Sequence, residues 1–130
     1  MERVSDHYCI DSDVLIDYLR GVEDAREFLT KASKVKLLLI SVVSVVEIFS
    51  GKETRDIEKR DRIENFLENF EIIELDARIA KYAGELRREH QKPFADMIIA
   101  ATAIISGIVL VTRNVKHFQG IKNLEVHRPY

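Results

Sequence analysis

Pro93 to Asn114, PFADMIIAATAIISGIVLVTRN, is the stretch whose reading decides the fold. From Met97 to Ile105 every residue except Thr102 is apolar, so the spacing predicts a helix buried on most sides rather than along one stripe. Gly107 stops it. Ile108 to Val111 is a short β-branched run that reads as a buried parallel strand, with Thr112, Arg113 and Asn114 at its carboxyl end. Open α/β sheets bind ligands at that end. Asp96, a lone acid in the first turn of the core helix, therefore marks a place to look for chemistry.

Working outward, strands and helices alternate along the whole chain. Tyr8 to Ile10 forms a first strand ending on Asp11, followed by a helix from Asp13 to Arg20 that stops at Gly21 and a second helix from Val22 to Ala32. Leu37 to Ser41 is the second strand, and the apolar run beyond it becomes helical at Ser44, where Ser44 and Glu47 have capping-box spacing. Between Gly51 and Asn69 the chain is densely charged, KETRDIEKRDRIENFLEN, and reads as an amphipathic helix whose first half projects into water and whose core stripe is only Ile63, Phe66, Leu67 and Phe70. Glu71 to Leu75 is a third strand, Asp76 caps a helix from Ala77 to His90, Asn114 to Phe118 is a helical turn, and Leu124 to His127 is an edge strand halted by Pro129. The pattern implies an α/β fold, a mostly parallel sheet of four to five short strands covered on both faces.

Composition sets further bounds. A chain of 130 residues is one domain, able to fold without staples. Its single cysteine, Cys9, lies in an apolar run and reads as a small buried hydrophobe, which suits a reducing, cytoplasmic setting. A formal charge of −2 offers no global attraction for a polyanion, so any nucleic-acid affinity has to be local. MERVSDHY is too polar for a signal peptide, and the apolar run at Met97 is too short to span a membrane, so a soluble protein is expected.

Three acids stand where apolar elements begin or end: Asp11, Glu47 and Asp96. Each has a local explanation: helix capping for Asp11, the capping box for Glu47, complementing the helix dipole for Asp96. Taken together they point elsewhere. Glu47 sits in the apolar run VVEIF, and no lysine or arginine lies beside any of the three. A shared divalent cation would answer the charge, and hard oxygen donors without a His or Cys cluster select Mg²⁺ or Mn²⁺ over zinc. A receiver-like phosphotransfer module, which also needs acids at strand ends, fits poorly because Asp76 comes too late and Glu47 and Asp96 gain no role.

At these residues the chain resembles the PIN-domain ribonucleases, most closely the VapC toxins of prokaryotic toxin–antitoxin pairs. The resemblance runs from about Tyr8 to Val126 and rests on CIDSDVLIDYLRG, LLISVVSVVEIFSG and PFADMIIAATAIISGIVLVTRNVKHF. It implies a three-layer α/β/α sandwich and hydrolysis of RNA by water activated on Mg²⁺ or Mn²⁺, with Asp11, Glu47 and Asp96 as catalytic and metal-holding acids. Asn114 falls where many relatives carry a fourth acid, and Asp13 where they carry a small or amide residue. Asp13 either restores some of the missing charge or caps the helix, and Thr112 either supports the site or merely ends the strand. Arg113, Lys116, Lys52 and Arg55 are the candidate phosphate contacts, while His117 is the only histidine close to a motif. The resemblance also implies a homodimer and a VapB-like antitoxin, sought along the first two helices and the charged helix. A PIN-like module that binds RNA or its partner without cleaving, given Asn114, is the alternative.

Overall fold

The computed structural model describes residues 6–130. Five strands form one wholly parallel sheet: β1 (His7–Ile10), β2 (Leu37–Ser41), β3 (Glu71–Ile73), β4 (Val109–Val111) and β5 (Val126–His127), in the order β3-β2-β1-β4-β5. Six α-helices fill the connections: α1 (Ser12–Leu19), α2 (Glu23–Ser33), α3 (Val42–Phe49), α4 (Ile57–Leu67), α5 (Ala77–His90) and α6 (Phe94–Ser106). The sheet separates two cores. Cys9 and Leu110 pack with α5 and α6, whereas Ile10 and Val111, one residue on along the same strands, pack with α1, α2 and α4. Alternation of side chains across a pleated strand thus produces the three-layer sandwich from runs that are apolar throughout.

Helix α6 is the axis of the core that holds Cys9 and Leu110. Met97 to Ala103 are all buried, and its one polar member, Thr102, returns its hydroxyl to the Ile98 carbonyl at 2.7 Å. Gly107 ends it in the left-handed conformation, φ 69°, that a side-chain-bearing residue enters at a cost. Asp76 caps α5 through the Ile79 N–H at 2.8 Å, as its sequence position predicts. Buried Cys9 has its thiol pushed up to about 12, chiefly by desolvation and then by the charge of Asp11, so it stays an inert thiol.

Several local expectations are corrected. The Ser44–Glu47 capping box does not form: Ser41 caps α3, accepting from the Val43 N–H at 3.1 Å, because β2 passes straight into the helix. The single charged helix is two pieces, a 3-10 turn at Lys52–Arg55 and then α4, since Asp56 takes an extended conformation and caps α4 through the Glu58 and Lys59 N–H groups. Asp56 is an N-cap hidden inside a charge run. Strand β3 ends at Ile73 rather than Leu75, and β5 spans only Val126–His127, although Glu125 still accepts from the Leu110 N–H at 2.9 Å. Among the described residues no helix is long and apolar enough to cross a membrane.

Candidate active site

The order of strands reverses between β1 and β4, so the crossovers leave in opposite directions there and a crevice opens at the carboxyl ends of these two strands. Asp11 follows β1 and Thr112 follows β4. The Asp11 N–H donates to the Val111 carbonyl at 2.9 Å, and the Thr112 hydroxyl donates to Asp11 Oδ2 at 2.7 Å. Asp11 Oδ1 accepts from the Ser12 N–H at 2.7 Å, which makes Asp11 the N-cap of α1 as well. Capping and a place in the crevice are compatible. The carboxylate is only 4% exposed, and its pKa is raised from the ordinary 3.8 to about 7, first by desolvation and then by the charge of Asp13, with Asp96 adding to it.

Asp13 is not the cap. Its Oδ1 accepts from the Val14 N–H at 2.8 Å and its Oδ2 from the Arg113 N–H at 3.0 Å, tying α1 to the loop after β4. Desolvation raises its pKa too, against the lowering effect of those bonds. Thr112 is wholly buried and also accepts from the Asn114 N–H at 3.0 Å, so its hydroxyl supports the site rather than merely ending a strand. Asn114 itself is exposed. Asp96, in the first turn of α6, lies close enough to influence Asp11, and its Oδ2 sits 2.9 Å from His117 Nδ1.

Glu47 differs from its expected setting. Ile48 is buried and Val45 and Phe49 are half-buried, whereas Glu47, like Val46, lies on the exposed side of α3, because a helix turns successive residues by about 100°. It is reached from the crevice through Ser12, whose hydroxyl donates to Glu47 Oε1 at 2.6 Å while standing 2.9 Å from Ser44 Oγ. Ser12 and Ser44 therefore position the third acid, a role hidden in the sequence because serines beside helix starts read as caps. Among the described residues, no group of three or more His, Cys, Asp or Glu side chains gathers as a metal-holding cluster. Asp11, Asp13 and Asp96 share one electrostatic field, with Glu47 one hydroxyl away.

The expected phosphate contacts also divide. Arg113 Nε lies 2.6 Å from Asp17 Oδ2, out of hydrogen-bond alignment, and its Nη2 donates to Asp17 Oδ1 at 3.3 Å. Tyr130 completes the clasp, its hydroxyl donating to Asp17 Oδ2 at 2.7 Å with Arg113 over its ring. The Arg113 guanidinium is thereby tied to Asp17 and Tyr130 while its side chain stays partly exposed. Lys116, Lys52 and Arg55 are exposed. Beyond Glu47 a groove of about 830 Å³ runs between α1 and α4, floored by Ile16, Leu19, Ile63 and Phe66 and rimmed by Arg20, Lys59 and Arg62.

A family model described as PIN domain matches residues 8–123. The chain belongs to the PIN-domain family. This PIN domain is 37% identical over 131 residues to Ribonuclease VapC10 of Mycobacterium tuberculosis, a match covering 92% of this chain and 96% of that relative. It is 30% identical to Ribonuclease VapC2 of Rickettsia felis, over 90% of this chain and 93% of the relative. Of solved structures, a toxin–antitoxin complex from Klebsiella pneumoniae superposes with a TM-score of 0.80 at 31% identity, covering 97% of this chain and 98% of that one. The sandwich anticipated from the sequence is thus the PIN fold, present over nearly the whole chain.

Proposed function

We propose that this PIN domain is a Mg²⁺- or Mn²⁺-dependent endoribonuclease, the toxin of a toxin–antitoxin pair. The observation that carries the reading is Asp11, a buried carboxylate at the topological switch point beside Asp13 and Asp96. Burial first, and then the charges of Asp13 and Asp96, raise its pKa against the lowering bonds from Thr112 and the Ser12 N–H. A site assembled against its own electrostatic interest is characteristic of function rather than stability. The names of the relatives, ribonucleases of the VapC kind, support the same activity.

The donors fit a hard divalent cation: all are oxygens, and each Asp11 oxygen retains acceptor capacity beyond its one hydrogen bond. Mg²⁺ typically keeps several waters and takes one or two carboxylates plus substrate phosphate oxygens, so Asp11 and Asp96 suffice to hold it without a cage of three acids. Such an ion, when bound, lowers the pKa of a water and offsets the charge of the attacked phosphate. Thr112 and the Ser12 N–H keep Asp11 oriented. Glu47, aimed by Ser12, receives the proton of the attacking water. Lys116, Lys52 and Arg55, all exposed, meet the RNA backbone, and a homodimer doubles the number of such sites.

The groove beside Glu47 suits an amphipathic segment of a VapB-like antitoxin, apolar residues on its floor and acidic ones against Arg20, Lys59 and Arg62. An arginine of that partner placed among the acids would relieve their repulsion in the absence of metal. The purified complex is then inactive and gains nuclease activity when the partner is digested away. The deciding assay is cleavage of total RNA with Mn²⁺, wild type against Asp96→Asn. Equal activity in both removes the mechanism, and no activity in either favours the non-cleaving module that Asn114 suggests.

A further inference from the structure

We infer that His117 is a positioning residue, holding Asp96 in the rotamer that receives the metal; this deepens the nuclease reading and rests on it. The contact is 2.9 Å between His117 Nδ1 and Asp96 Oδ2, and the Asp96 carboxylate is 17% exposed. An ionised carboxylate only accepts, so Nδ1 carries the hydrogen in this pair and the tautomer is set by the bond. One Asp96 oxygen is thus held by the imidazole, which leaves the other to take a ligand.

The support is built from the chain on both sides. His117 stands on a 3-10 turn, Val115–Phe118, closed by its own N–H donating to the Asn114 carbonyl at 3.0 Å. The next residue, Phe118, is 2% exposed and packs in the same core cluster as Met97, Ile98 and Ala101 of α6. A buried aromatic therefore pins the turn against the helix that carries Asp96, and the imidazole arrives at the first turn of α6 with little freedom. By contrast Asn114, the expected fourth polar contributor, is exposed, and its hydrogen bond to Thr112 comes from its backbone N–H. The loop after β4 serves the acids through a hydroxyl and an imidazole in place of a carboxylate. Ligand-orienting partners of this kind typically change metal affinity by about 10–100-fold when removed.

The test is Mn²⁺ binding to the RNA-free protein, followed by electron paramagnetic resonance, for wild type, His117→Ala and His117→Asn. Asn places an amide N–H near the Nδ1 position. The expected result is about a tenfold or greater loss of Mn²⁺ affinity in H117A with substantial recovery in H117N, while thermal melting of the two metal-free variants stays close. In RNA cleavage, H117A needs correspondingly more Mn²⁺ but keeps its RNA KM at saturating metal. Unchanged Mn²⁺ affinity in H117A, or an effect confined to the RNA KM, overturns the positioning role while leaving the nuclease reading intact. A wild type that neither binds Mn²⁺ nor cleaves RNA overturns both.

Discussion

The carboxylates of Asp11 and Glu47 belong to one candidate site, yet they are held by opposite physics. Asp11 is buried where two strand ends meet, gripped by a backbone N–H and the Thr112 hydroxyl, and its charge is opposed by its surroundings. Glu47 is exposed on α3 beside a wide groove, held by the single hydroxyl of Ser12. The first is preorganised at a cost to stability, whereas the second costs little and remains adjustable. A reaction on a polyanion needs both: a rigid anchor for charge and a movable group that handles protons.

The largest expected effect sharpens that contrast. Asp11→Asn and Asp96→Asn should each lower RNA cleavage by at least about a hundredfold, the scale of several kcal/mol of lost charge stabilisation. Only Asp11→Asn should also make the protein more stable at neutral pH. Folded Asp11 keeps its proton up to about pH 7, while the unfolded carboxyl loses it near 3.8. The folded state therefore binds more protons between those values, and this group's contribution to stability falls as pH rises from about 4 to 7. Removing the charge recovers roughly 4 kcal/mol at most, which is several degrees or more in Tm at pH 8. A melting curve at pH 8 in which D11N is no more stable than wild type breaks the comparison.

Next in size is Thr112→Val, which keeps the shape but leaves the Asn114 N–H and one Asp11 oxygen without their partner. It should cost about 1–3 kcal/mol in chemical denaturation and reduce cleavage along with it. Ser12→Ala, by comparison, should leave the fold within about 1 kcal/mol of wild type and act mainly on kcat by releasing Glu47. Equal losses of stability from both substitutions would show that the two halves of the site are not differently built. The smallest effects belong to Lys52→Ala and Arg55→Ala on the exposed 3-10 turn: stability within about 0.5 kcal/mol, and an RNA KM raised at low salt with a weaker dependence on salt than in wild type.

Legibility in the sequence followed the same division. Helices α5 and α6, the strand β2 and the cap at Asp76 were readable because long periodic or uniformly apolar runs dominate their local choices. The break at Asp56 and the cap at Ser41 were not. An aspartate in a charge run and a serine at the end of a strand look like solvent-facing residues until the chain bends at them. Arg113 shows the same limit, since nothing in VTRN foretells that Asp17 and Tyr130 will claim its guanidinium.

Alternation of apolar runs with amphipathic ones determined by itself that the chain is a parallel α/β sandwich, that Asp11 and Thr112 end strands and that Asp96 opens the core helix. Those are consequences of neighbours along the chain. Tertiary structure alone decided that β1 and β4 lie side by side, that Asp13 and His117 join the acids, and that Glu47 faces solvent across Ser12. Strand order and side-chain rotamers depend on residues some hundred positions apart, as Thr112 is from Asp11. Only packing in three dimensions brings their desolvation and charge to bear on one another.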